Sequence, residues 1–114
     1  MICNKCKEKQ YPRIEIVIDA QDEDETPEQS EQQTGSAPGY AKAVRGMMDH
    51  AQGKWGWCAV TVTVKLVVGD HVIDEETNYL GNCSYESVSD FIMNSGYYKQ
   101  MCQEALKELT KRNM

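Results

Sequence analysis

Residues 13–19, Arg-Ile-Glu-Ile-Val-Ile-Asp, alternate cleanly, with Ile14, Ile16 and Ile18 on one side. That pattern predicts a strand with one apolar face. A second alternation follows "WGWC" at residues 55–58. Cys58, Val60, Val62, Val64 and Leu66 point one way, and Trp57, Ala59, Thr61, Thr63 and Lys65 point the other. Gly69-Asp70 is a turn signal, and the return strand falls within residues 71–83. A tight two-residue turn would set Val64 against Glu75 on the apolar face, a poor pair. Shifting the pairing by two residues sets Val64 against Thr77, Val62 against Tyr79 and Cys58 against Cys83. It also sets Lys65 against Glu76, a favourable cross-strand pair. The shifted register, with a wider loop around residues 67–74, is therefore expected.

Elsewhere the spacing is helical. In residues 38–51, Tyr40, Val44, Met47, Met48 and Ala51 form an apolar stripe; Ser36 or Pro38 can open this helix and Gly53 can close it. Ser87-Val88-Ser89-Asp90 reads as a capping box. It opens a short helix with Phe91 and Ile92, which Asn94-Ser95-Gly96 interrupts. Residues 97–112 carry a stripe of Tyr98, Met101, Cys102, Ala105, Leu106 and Leu109, with Lys107, Lys111 and Arg112 suiting the C-terminal end. This order predicts an α+β fold: a small antiparallel sheet of about three strands with helices packed on one face.

One stretch has neither period. Residues 21–36, QDEDETPEQSEQQTGS, contain six acidic residues and no aliphatic or aromatic one. Nothing there offsets the entropy of ordering the backbone, so a mobile acidic loop is expected. A loop of that length is uncommon inside a compact domain and often functional. Asp22, Glu23, Asp24 and Glu25 are its candidate contacts with a basic partner.

The chain has 114 residues, which fits one domain, residues 1–114. Its net charge of −6 argues against general nucleic-acid binding, which needs a cationic footprint. It suits a basic protein surface or a small molecule as partner. No apolar run approaches the roughly 20 residues of a membrane span. The N-terminal residues lack the apolar region of a signal peptide. Five scattered cysteines do not form an even disulfide set, so reduced thiols in a cytoplasm are expected.

Catalytic motifs are not apparent. No nucleophile elbow, phosphate-binding loop, dinucleotide glycine fingerprint or H-E-x-x-H occurs, so the expectation is a protein that is not an enzyme. Cys58, Cys83 and Cys102 fall on expected core faces, where free cysteine acts as a small hydrophobe. Cys3-x-x-Cys6 is half a zinc motif. A closed site needs four ligands, so zinc is an alternative and no cofactor is the expectation.

The two tryptophans fall on the polar side of their alternation, so something must cover them. A helix or the N-terminal segment folding over them is one answer. The other is a binding surface, with Trp55 and Trp57 beside Tyr40, Tyr79 or Tyr85, made for a partner chain, a homo-oligomer or a stacked base. Lys42, Arg45 and Lys54 are the cations nearest in sequence that could meet a nucleotide's phosphates.

"WGWC" at 55–58, "LGNCSYES" at 80–87, "DF" at 90–91 and "GYYKQM" at 96–101 resemble a set of small proteins encoded by bacteriophages and prophages. The resemblance covers about half the chain and implies context alone: an accessory protein acting in the host cytoplasm. It would bind a host protein, such as a defence nuclease, or sequester a small signalling molecule. A non-catalytic binding protein is thus the expected function. A nucleotide binder and a zinc-stabilised structural module are the alternatives.

Overall fold

The computed structural model describes residues 11–34 and 38–113. Strand β1 (Pro12–Gln21) is followed by helices α1 (Pro27–Thr34) and α2 (Tyr40–His50) and a 3-10 turn (Gly53–Gly56). Strands β2 (Cys58–Val68) and β3 (His71–Cys83) form a hairpin, and helices α3 (Val88–Asn94) and α4 (Tyr98–Arg112) close the order. The sheet is antiparallel, in the order β1-β2-β3, and the fold is α+β. Among the described residues no helix is long and apolar enough to cross a membrane. Cys3 and Cys6 lie outside the described residues.

The hairpin corrects the expected register. The turn is tight, with Val68 opposite His71 across Gly69-Asp70. Leu66 faces Asp74 while Val67 faces Val72, so Ile73 is an extra residue on β3. A second irregularity lies between the pairs Val60↔Leu80 and Cys58↔Cys83, where Asn82 has a φ of 55°. Each bulge shifts the pairing by one residue and flips the side chains that follow to the other face. Cys58 therefore faces Cys83 as expected, but Val64 faces Glu76, Val62 faces Asn78 and Lys65 faces Glu75. Thr77 and Tyr79 move off the apolar face, and Asp74, Glu76 and Asn78 take their places on it.

Helix α4 accommodates those polar groups. Asn78 donates to the Met101 carbonyl at 2.8 Å. Arg112 reaches Asp74 at 3.0 and 3.2 Å and Glu76 at 2.7 Å. Between these contacts Met101, Ala105 and Leu109 are buried, four residues apart, against Val60, Val62 and Val64. Tyr98 and Cys102 are half-buried, whereas Leu106 is 42% exposed at the margin of the stripe. At the other end of the core Phe91 is fully buried among Trp55, Tyr85 and Tyr98. The Ser87 hydroxyl caps α3 by accepting the Asp90 N–H at 3.2 Å, and the Asp90 carboxylate accepts the Glu86 N–H at 2.9 Å.

The expected acidic loop contains α1. Thr26 and Gln29 form a reciprocal capping box: the Thr26 hydroxyl accepts from the Gln29 N–H at 3.1 Å and the Gln29 amide oxygen from the Thr26 N–H at 2.8 Å. Pro27 occupies the first helical position, where a missing N–H is harmless, and is buried. Helix α2 begins after Gly39, whose φ of 89° places it in the left-handed region. Gly39 has no capping side chain; the Glu31 carboxylate of α1 accepts the Ala41 N–H at 2.9 Å instead.

Candidate protein-docking face

The 3-10 turn sends the two tryptophans to different places. Trp55 turns into the core: its ring centroid is 5.9 Å from that of Phe91, and its carbonyl accepts the Tyr85 N–H at 2.8 Å. Trp57 turns toward the acidic segment. Its indole N–H donates to the Glu25 carbonyl at 2.6 Å, and its ring meets Tyr40 edge-on at 6.4 Å. Both are half-buried. The cover comes from within the chain, α2 and residues 22–25 over Trp57 and α3 beside Trp55. The two rings do not form one open aromatic platform.

The acidic segment is tied to the end of the sheet through Asn82. The Glu23 carboxylate accepts the Asn82 N–H at 2.8 Å, and the Asn82 side-chain amide donates to Ser30 at 3.2 Å and Glu25 at 3.4 Å. Glu23 and Glu25 are half-buried, while Asp22 and Asp24 are exposed. The sequence-level cations do not gather around an aromatic ring. Arg45 grips Glu28 with two bonds of 2.7 and 3.0 Å, and Lys42 is exposed on α2. Lys54 lies 3.8 Å from Asp22, an exposed pair of the kind that contributes little. Lys54 shares one cleft with Trp55 and another with Trp57, but these also carry Asp19 and Asp22.

A surface that the sequence pattern missed lies on the sheet itself. The packed helices contact the face bearing Val60, Val62 and Val64. The opposite face presents three cross-strand rows: Glu15–Lys65–Glu75, Val17–Thr63–Thr77 and Asp19–Thr61–Tyr79. Tyr79 is 63% and Val17 43% exposed. Thr63 and Thr77 share a hydroxyl hydrogen bond of 2.8 Å. The Glu23 carboxylate, at the rim, pushes the Tyr79 phenol up from its ordinary range. An aromatic and a valine thus stand on a hydroxyl-bearing floor, bordered by Glu15, Asp19, Glu23 and Glu75. The second bulge places Glu23 there, because Asn82 offers its backbone N–H to that carboxylate.

The thiols in the core are not poised for chemistry. Burial pushes Cys58 up to about 12 and Cys83 up to about 11, so both stay protonated at neutral pH. His50 and His71 are exposed. Among the described residues no cluster of three or more His, Cys, Asp or Glu side chains is placed to hold a metal ion. A cleft of about 270 Å³ is walled by Tyr40, Tyr85 and Tyr97 around residues 80–84, and among the described residues its lining holds no Lys or Arg. In comparisons with known proteins, no family model matches the chain, and no curated protein or solved structure matches it.

Proposed function

We propose that this chain is a non-catalytic binding protein that docks a basic protein surface on the open face of its sheet. The supporting observation is the exposure of Tyr79 and Val17 within a border of carboxylates, on a face opposite the packed helices. Exposed aromatics make interface anchors, and a border whose carboxylates outnumber its one cation, Lys65, steers an oppositely charged partner. Asp22 and Asp24 extend the rim; Glu23 and Glu25 hold it in place. The phage context rests on the sequence resemblance alone, and in that context the partner is a host protein with a basic surface, such as a defence nuclease.

Paired pull-downs from host lysate test the reading. Wild-type protein is compared with Tyr79→Ser and with Asp22→Lys/Asp24→Lys, each checked for unchanged melting. A host protein retained by the wild type, lost with both variants and released by moderate salt supports the proposal. Equal retention by all three forms, or retention of nothing, refutes it. The nucleotide-binding alternative has less support. The tyrosine-walled cleft offers stacking surfaces but, among the described residues, no cation for a phosphate, so tryptophan fluorescence should not respond to added nucleotides. The zinc-stabilised module depends on Cys3 and Cys6; melting temperature that is unchanged by a chelator would eliminate it.

A further inference from the structure

The two edges of the sheet are built differently. On β3 two bulges break the register, and Asp74, Glu75 and Glu76 add a run of carboxylates. Bulges and charges are the devices that keep an edge strand from pairing with another chain. On β1 the register is unbroken from Pro12↔Val68 to Gln21↔Ala59. Among the described residues no strand pairs with its outer side, which presents a row of backbone N–H and C=O groups. Ile14 and Ile16, on the apolar face, are 45% and 44% exposed because α4 packs over β2 and β3. An apolar cleft of about 310 Å³ runs between β1 and α4, lined by Pro12, Ile14, Leu66, Leu106 and Leu109 among others.

We propose that β1 pairs antiparallel with β1 of a second copy, joining two three-stranded sheets into one of six strands. A two-fold axis perpendicular to the sheet keeps like faces together, so one residue of β1 must face its own copy. Charge then selects among the registers. With Glu15 on the axis, two carboxylates face each other. With Val17 there, Glu15 meets Asp19 of the second copy twice. With Ile14 or Ile18 on the axis the overlap shortens. With Ile16 on the axis, pairing runs from Pro12 to Ala20, Ile14 meets Ile18 of the second copy, and Arg13 meets Asp19 of the second copy at both ends. Within one chain Arg13 uses Nε on Glu15 (2.9 Å) and Nη1 on the Gly69 carbonyl (2.8 Å), which leaves Nη2 for this contact. Asp19 is exposed and has no ion-pair partner among the described residues. The half-exposed isoleucines of the two copies then form one apolar strip. The inference does not rest on the docking reading: β1 pairs through its edge, and on the open face only Arg13, Glu15, Val17 and Asp19 meet the second copy, while Tyr79 on β3 stays outside the contact.

Sedimentation equilibrium of the full chain over a concentration series tests it, with melting temperatures as the folding control. The wild type is expected to be a reversible dimer. Asp19→Arg sets Arg against Arg13 at both ends and should raise the dissociation constant roughly tenfold. Arg13→Asp should act alike, and the double exchange Arg13→Asp/Asp19→Arg should restore dimerisation. In a separate test, Ile16→Cys should link copies through a disulfide on mild oxidation, since residues facing each other across an antiparallel pair have Cα atoms about 4.5–5.5 Å apart. The same treatment of the wild type provides the background. A wild type that stays monomeric, a dimer indifferent to Asp19→Arg, a double exchange that fails to rescue, or no Ile16→Cys crosslink above background each overturns the proposal.

Discussion

Replacing Phe91 with alanine removes the ring on which three others converge. Phe91 is fully buried, with ring centroids of Tyr85 at 5.2 Å, Trp55 at 5.9 Å and Tyr98 at 6.3 Å. Truncating a buried phenylalanine costs about 3–5 kcal/mol. Tyr85 and Tyr98 meet it edge-on, and each such contact adds about 0.5–1.5 kcal/mol beyond area burial. The cavity cannot close easily on the Trp55 side. The Trp55 N–H donates to the Gln52 carbonyl at 3.1 Å and its carbonyl accepts from Tyr85 at 2.8 Å, so the indole is held at its backbone. The loss should therefore lie near the top of the range, about 4–5 kcal/mol. Natural domains of this length have about 6–17 kcal/mol in total, so the variant should fold but weakly. Urea unfolding at constant temperature, followed by tryptophan fluorescence, measures the change. With a slope near 2 kcal/mol per molar urea, the midpoint should fall by about 2 M. Phe91→Leu, which keeps most of the volume, should lose no more than about 1.5 kcal/mol. Met93→Ala, at a side chain 79% exposed on the same helix, should stay within about 0.5 kcal/mol. A loss below about 2 kcal/mol for Phe91→Ala would mean that α3 and Trp55 do not close over the sheet together.

Three further expectations follow from close contacts and buried groups. Gly56→Ala should destabilise by about 1–3 kcal/mol in the same urea assay, because its Cβ would stand 2.5 Å from the Met48 Cα; a neutral result would show that the turn and α2 do not touch. The Arg112 guanidinium, with help from Asn113, holds the Asp74 carboxyl at about 2. A folded value below the ordinary carboxylate range means that this pair stabilises above that range and loses its effect as the pH falls toward 2. The melting temperatures of wild type and Arg112→Ala should thus differ at pH 6 and converge at pH 2, and a constant gap would contradict the pairing. Cys58 and Cys83, held protonated by burial, should resist iodoacetamide at pH 8 and react only in denaturant, as peptide mapping would show.

Much of the candidate face was illegible in the sequence, and β3 shows why. Alternation has a fixed period of two, and a bulge breaks that period without changing composition. Gly81-Asn82 inside a strand is a signal for such a break, but Ile73 offers none. One inserted residue is enough to take Tyr79 off the apolar face and set it beside Thr61. Helix α1 was legible and was outweighed by its surroundings: Thr26-Pro27-Glu28-Gln29 is a capping signal with proline at the first position, set within a stretch too polar to suggest packing.

What the sequence determined by itself were the elements governed by neighbours along the chain. The Ile14–Ile18 and Cys58–Leu66 alternations, the Ser87 cap and the Met101–Leu109 stripe are contacts of short range, set by strand and helix periods. The meetings between distant segments came from packing in three dimensions. These include Asn82 holding Glu23, Trp57 under Glu25, Arg112 across Asp74 and Glu76, and α4 leaving β1 half bare. Such contacts depend on the pairing count between segments that lie far apart along the chain. Each bulge or turn changes that count, and no local period records it.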